Sequence, residues 1–291
     1  MKIIHISDLH FPTNIPFLSL RGKSIIGYAN YFFRRKKKHD LTLIQNLLAY
    51  IKDSEYDALV ISGDLTNVSV EGEFLAAKNW LEPLLDDRLF LIPGNHDRYR
   101  KESLHPEPLF EKYFGNYIGV SESADFYLRK KIIHGMTFIG WDSNRPLPIA
   151  KANGFVEPEV AEKTMVICKT DYFLVCHHPI WNPGFYLESN GHKMVNRKEI
   201  SKLLLKNPPK IYFHGHSHSN WVKKPGKYAP YFAINSASST RFSDSHHDCG
   251  FHIVNLDESG NVDIKRMSYH ILSETFTETT ILSYEEEIGQ I

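Results

Sequence analysis

The chain has 291 residues, enough for a substantial core in one large domain or two small ones. Its 34 basic and 34 acidic residues cancel, which excludes a global field favouring nucleic acid or an anionic membrane. Three cysteines, Cys168, Cys176 and Cys249, are too few and too scattered for a disulfide framework; they read as buried free thiols in a reducing compartment.

The opening stretch MKIIHISDLHF carries only four apolar residues before Asp8 and is not read as a secretory signal. No run approaches the roughly 20 apolar residues that span a bilayer, so a cytoplasmic protein is expected. Short apolar runs then end repeatedly in glycine and polar residues. KIIHIS stops at Asp8, DALVIS at Gly63 and Asp64, RLFLIP at Gly94 and Asn95, DYFLVC at His177 and His178, and KIYFHG at His216. Runs of this length and composition predict buried strands. Between them, 40–54, 70–86, 157–168 and 197–206 predict helices. The first carries a stripe of Leu41, Ile44, Leu47, Leu48 and Ile51, with Asp40 as its N-cap.

The second half is richer in strands, predicted at 125–129, 132–134, 136–141, 219–223, 230–235, 249–255 and 261–267. Strands alternating with helices imply an α/β core, here two packed sheets with helices outside. One domain is expected over 1–267, followed by a tail over 268–291 that includes the acidic run Glu285–Glu287. Residues 13–38 form an inserted apolar and aromatic stretch ending in five bases. Residues 143–155 and 181–195 are loops rich in proline and glycine, of the kind that rim a pocket.

Ligands of an open α/β sheet collect at the carboxyl ends of its strands. That edge receives Asp8, His10, Asp64, Asn95, His96, Asp97, His177, His216 and His218. Carboxylates, imidazoles and one amide oxygen suit borderline divalent metals. They outnumber what one ion needs, and two ions sharing a bridging carboxylate, roughly 3.5–4 Å apart, are a recurrent device for phosphoester hydrolysis.

The motifs DLH, GDLT, GNHD, HHP and GHSH, in this order and at these intervals, resemble the calcineurin-like metallophosphoesterases. The resemblance runs from Met1 to about residue 267. It implies a four-layer α/β/β/α sandwich, with two mixed sheets packed together and flanked by helices. It also implies that Asp8, His10 and His218 bind one metal, that Asn95, His177 and His216 bind the second, and that Asp64 bridges them. His96 would be the proton donor or charge stabiliser at the departing oxygen, oriented by Asp97. The cofactor would be two divalent or mixed-valence ions of manganese, iron or zinc, with in-line attack by a metal-bridging hydroxide.

Neighbouring histidines read differently. His178 is expected to pack or hydrogen-bond, since adjacent side chains diverge, and His214 to lie beneath the site. Gly215 is expected to let the backbone turn sharply. The cluster HHDCGFH at 246–252 matches no ligand spacing and reads as surface or core histidines, while Ser236 to Ser238 could floor the pocket.

Within the superfamily, GDLTNVS and GNHD depart from the serine/threonine phosphatases, which carry an arginine-bearing motif after Gly-Asp and a glutamate ending the Asn-His motif. Leu65, Thr66 and Asn67 offer no tyrosine of the kind purple acid phosphatases use for ferric iron. GDLT followed by EGEF is similar to the bacterial phosphodiesterase-like branch, which acts on cyclic nucleotides, glycerophosphodiesters and UDP-linked lipid A precursors. The expected activity is therefore a phosphodiesterase, with a UDP-diacylglucosamine-type pyrophosphatase as the alternative and a non-catalytic metal-binding scaffold as a reading of another class. The substrate would be a phosphoester small molecule or a lipid-linked one. A helix over 22–36, bearing Ile25, Ile26, Tyr28, Ala29, Phe32 and Phe33 before Arg34–Lys38, would pack on its own core, cover the site, or meet the inner membrane face as a peripheral contact. The balanced charge disfavours nucleic acid as a partner.

Overall fold

The computed structural model describes residues 1–16, 20, 22–30, 41–148, 151–184, 186, 188–244, 247–286 and 289–290. In chain order the elements are β1 (Lys2–Ile6), α1 (Lys23–Asn30), α2 (Leu41–Asp53), β2 (Ala58–Ile61), α3 (Glu71–Leu81), β3 (Leu89–Leu91), α4 (Leu109–Phe114), β4 (Val120–Ser121), β5 (Leu128–Ile133) and β6 (Met136–Trp141). There follow α5 (Pro158–Ile167), β7 (Tyr172–Cys176), β8 (Asn182–Pro183), α6 (Arg197–Lys206), β9 (Ile211–His214), β10 (Trp221–Lys223), β11 (Phe232–Asn235) and β12 (Gly250–Leu256). The chain then forms β13 (Val262–His270), β14 (Thr275–Thr279), β15 (Ser283–Tyr284) and β16 (Gly289–Gln290).

The first sheet has the order β14-β13-β12-β1-β2-β3, and the second β15-β10-β11-β9-β7-β6-β5-β4. Both are mixed. In the first, β1, β2 and β3 run parallel while β12 is antiparallel to β1; in the second, β6, β7, β9 and β11 run parallel. The period of two along a strand sorts the side chains into layers. On β1, Ile4 and Ile6 face α2, α3 and α4, whereas Ile3 joins Val60, Phe90, Phe138, Phe173, Val175 and Phe213 between the sheets. The outer face of the second sheet packs α5 and α6 through Trp141, Val160, Leu174, Ile200 and Leu204. This is the four-layer arrangement that the motifs imply.

Helix α3 stops at Leu81, short of residue 86, because Pro83 cannot continue the ladder and a 3₁₀ turn takes over. The two strands predicted at 125–129 and 132–134 are one, β5, and α4 was not predicted. Within the inserted segment, α1 covers Lys23–Asn30; Asp40, Phe32, Phe33 and Arg34–Lys38 lie outside the described residues. Residues 268–291, read from sequence as a tail, supply the end of β13, then β14 on the first sheet, β15 on the second, and β16, which pairs with β8. All three cysteines are buried free thiols. Among the described residues no helix is long and apolar enough to cross a membrane.

Candidate metal centre

The two sheets meet at one edge, where a parallel bridge joins Ser7, after β1, to Ser238, after β11. Beside it the loops following β1 and β2 run side by side. Asp8 N donates to Gly63 O at 3.0 Å, His10 N to Asp64 O at 2.9 Å and Phe11 N to Leu65 O at 2.9 Å. Eight non-glycine residues among those described have left-handed backbone, and five of them are Asp8, His10, Asp64, His216 and His218. Such conformations cost roughly 1–3 kcal/mol each and persist where the surroundings impose them, typically at functional sites.

Glycine serves this edge by closeness. A Cβ on Gly215 would come 1.9 Å from Ser7 Oγ and 2.4 Å from Asp8 Oδ2, and one on Gly94 would come 2.2 Å from Asp64 Oδ1. Gly215 itself is not left-handed; at this strand end that backbone falls on His216 (φ 67°) and His218 (φ 50°).

Three groups of side chains bring nitrogen and oxygen ligand atoms within 4.8 Å of one another: Asp8, His10 and His218; His10, Asp64 and His96; and Asp8, Asp64 and His177. Asp8, His10 and Asp64 each belong to two of the three, and Asp64 reaches both His10 and His177. Its Oδ2 lies 3.6 Å from His10 Nε2 and 3.5 Å from His177 Nε2, while Oδ1 accepts the backbone N–H of His96 at 2.7 Å. Asn95 Oδ1 lies 3.1 Å from His177 Nε2 and 3.0 Å from His216 Nδ1. Asp8 Oδ1 lies 3.1 Å from His218 Nε2, and its Oδ2 accepts the His216 backbone N–H at 3.0 Å. All nine residues singled out from sequence reach this edge. Asn95, His96, His216 and His218 stay partly open to solvent, and the rest are buried.

Backbone carbonyls fix the rings from behind. His10 Nδ1 donates to Thr66 O at 2.9 Å, His177 Nδ1 to Ser62 O at 2.8 Å, His96 Nδ1 to Asn67 O at 2.6 Å and His216 Nε2 to His192 O at 2.9 Å. Each bond orients its ring, places a proton on the nitrogen that faces the carbonyl and turns the other nitrogen toward the centre. Burial, reinforced by His178 and His177, holds His216 well below its usual pKa, which favours the neutral ring. Burial alone would raise Asp64 and lower His177, but their mutual attraction outweighs it, holding Asp64 well below the carboxylate range and His177 up at about 9.

Asp97 takes a different place from the one the resemblance implies. The ring of His96 is tied to Asn67 O, and the buried Asp97 carboxylate accepts from Leu65 N, Thr66 N, Thr66 Oγ1 and Gly94 N. It thus ties the GDLT loop to the GNHD loop. Burial, with the Asp64 carboxylate adding to it, pushes Asp97 up to about 6. His178 bonds Ser143 Oγ and Ala152 O, and His214 bonds Asn235 Oδ1, so both lie outside the ligand set as expected. Of the 246–252 cluster, His247 Nδ1 supports the His218 carbonyl at 2.6 Å, His252 is buried on β12, and His246 lies outside the described residues. Ser238 Oγ holds Asp8 O at 2.6 Å, which makes the Ser236–Ser238 stretch part of the floor.

Sequence reasoning missed the supports. Tyr99 stacks parallel to His96, with ring centroids 6.0 Å apart and planes 4° from parallel. Arg98, one residue earlier, is buried between Asp142 (2.8 Å) and Glu111, bracing the GNHD loop against β6 and α4. The aromatic and the cation directly after GNHD were the available signal.

A model of the calcineurin-like phosphoesterase family matches residues 1–220. The chain belongs to that family. Solved structures similar to this calcineurin-like phosphoesterase include a purple acid phosphatase from yellow lupin (Lupinus luteus) seeds, with TM-score 0.54 and 11% identity over 98% of this chain and 54% of that one. GAP50, described as the anchor in the inner membrane complex of Plasmodium, gives TM-score 0.54 and 13% identity over 97% and 89%. The Thermus thermophilus sulfate thiohydrolase SoxB gives 0.50 and 12% over 95% and 58%. At these identities the likeness is one of fold. No curated protein matches the sequence. The chain's donor set, imidazole nitrogens with carboxylate and amide oxygens brought together at the strand ends, fits the divalent metals of the family.

Proposed function

We propose that this phosphoesterase is a dinuclear metal-dependent phosphodiesterase using manganese, iron or zinc. The observation that carries the reading is the convergence of seven donor side chains, Asp64 among them, at the strand ends of the two sheets, with His96 beside them at the open rim. Asp8, His10 and His218 would hold one ion, Asn95, His177 and His216 the other, and Asp64 both. When bound, such a pair supplies Lewis acidity to the phosphoryl oxygens and lowers the pKa of a water nucleophile. Asn95 adds an oxygen donor without adding charge. His96, with Nδ1 donating to Asn67 O, would act as the imidazolium, passing its Nε2 proton to the departing alkoxide and becoming the neutral ring. Asp97 holds the two loops that present Asp64 and His96 in register.

Hydrolysis of bis(p-nitrophenyl) phosphate with manganese, by wild type and by Asp64→Ala, tests this. Turnover that needs both the metal and Asp64 supports it. No metal-dependent turnover on this or on cyclic nucleotides and glycerophosphodiesters rejects it in favour of a metal-binding interaction scaffold.

A second reading, a lipid-linked phosphoanhydride as substrate, is favoured by α1. Its Lys23 Nζ sits 4.1 Å from the Tyr99 ring and donates to Leu147 O at 2.5 Å, which seats the helix next to His96. Ile25 and Ile26 are 39% and 55% exposed. The run Arg34–Lys38 follows in sequence. Apolar side chains beside clustered bases suit an anionic lipid surface, which would put the protein in the cytoplasm at the inner membrane face. Neutralising Arg34–Lys38 should weaken sedimentation with anionic vesicles and raise KM for UDP-diacylglucosamine; no change in either rejects the membrane reading.

A further inference from the structure

The C-terminal strands reach the candidate centre from its far side. Alongside β10, Val222 N donates to Leu282 O at 2.8 Å and Lys224 N to Tyr284 O at 2.9 Å. Glu286 then turns inward and is only 7% exposed. Its Oε2 accepts from Tyr228 N at 2.8 Å, and its Oε1 lies 3.8 Å from Nζ of the fully buried Lys223. The Glu286 carbonyl accepts from Trp181 Nε1 at 3.0 Å. Beyond it β16 pairs with β8, Gly289 opposite Pro183. A Cβ on Gly289 would come 1.9 Å from the Trp181 ring, so the backbone lies flat on the indole and only glycine fits.

Trp181 and β8 open the 181–195 loop, which returns over the centre. Tyr186 OH donates to Ser217 O at 2.8 Å, and His192 O takes the Nε2 proton of His216 at 2.9 Å. With Nε2 protonated, Nδ1 keeps its lone pair toward Asn95 Oδ1, 3.0 Å away.

We propose that Glu286 and Gly289 are positioning residues for His216: they clamp the base of the 181–195 loop and, through the His192 carbonyl, set the orientation and tautomer of that ligand. This rests on the metal-centre reading above. Glu286 is held by the 2.8 Å bond from Tyr228 N, and Lys223, 3.8 Å from its Oε1, is itself fixed by donating to Lys224 O and Ala229 O, so the carboxylate is anchored in a buried setting and is not a loose surface tether.

The test uses the full-length protein, manganese titrated by calorimetry and electron paramagnetic resonance, and amide hydrogen exchange. Wild type is expected to bind two ions. Gly289→Val should weaken one of them about tenfold, in the range typical for losing a ligand's support, and leave the other unchanged. Exchange should speed up over residues 186–193 while β1 to β3 keep their protection. Glu286→Gln keeps the side chain's shape and should shift the same ion in the same direction by less, which preserves the test if the valine variant does not fold. Unchanged binding of both ions in both variants overturns the proposal, as does equal weakening of both ions with protection lost throughout. A wild-type protein that binds no metal overturns the metal-centre reading itself.

Discussion

Asp64 Oδ2 lies 3.5 Å from Nε2 of His177, a contact that links the end of β2 in one sheet to the end of β7 in the other. Asp64→Asn keeps the shape and removes the charge that holds the donors together. It should lower metal-dependent turnover by more than about 100-fold, beyond the 10–100-fold typical of losing a residue that only supports a ligand. Manganese stoichiometry should fall as well. Calorimetry beside steady-state kinetics checks both; normal metal loading with normal turnover would contradict the bridging role.

His96 should behave differently. His96→Gln should leave metal binding intact while lowering kcat by about 10²–10⁴-fold, the usual worth of a general acid. The deficit should shrink as the leaving group becomes more acidic, because a good leaving group needs no proton. A constant deficit across a leaving-group series would argue for charge stabilisation instead.

The Arg98 cluster gives a stability prediction. Its guanidinium is buried between Asp142 and Glu111, and Arg98→Met would strand two partly buried carboxylates. The expected loss is about 3–5 kcal/mol in urea unfolding. It should be smaller at pH 5 than at pH 7.5, where both acids must ionise without a partner. A loss under about 1 kcal/mol would mean that water reaches the cluster.

Glu73 sets a pH dependence. It is buried at the start of α3 and accepts from the backbone N–H groups of Asn67, Val68 and Val70, yet burial outweighs these and pushes it up to about 7. A carboxyl raised from 4.5 contributes stability that is complete below the unfolded value and is lost as pH rises through the folded one. Between pH 5 and 8, wild type should therefore lose stability relative to Glu73→Gln. Parallel Tm profiles for the two proteins would show that Glu73 is ionised throughout.

The strands were readable because buried β runs are short, apolar and ended by glycine, as in KIIHIS and DALVIS, and α6 matches its predicted span of 197–206. Strand β5 was split because Lys130 and Lys131 interrupt its apolar run, yet near the sheet edge their stems pack while Lys131 Nζ reaches Leu89 O. The donor set was readable from residue type at strand ends. What fixes each ring was not: Thr66, Ser62, Asn67 and His192 act through backbone carbonyls, which every residue has, so no side chain advertises them. For the same reason Asp97 looked like a partner of His96, when its four donors are three backbone amides and one hydroxyl.

The division of donors between the sheets has a consequence for how the protein matures. Asp8, His10, Asp64 and Asn95 follow strands of the first sheet, and His177, His216 and His218 follow strands of the second. Neither half-set is complete by itself, so the full set of seven donors would come together only when the second sheet docks, after more than half of these residues have been synthesised. Metal binding free energy would then fall on the seam between the sheets, working as a rivet placed last. Scarcity of metal would leave a population with both sheets formed and their joint loosened, open to proteolysis along that seam first.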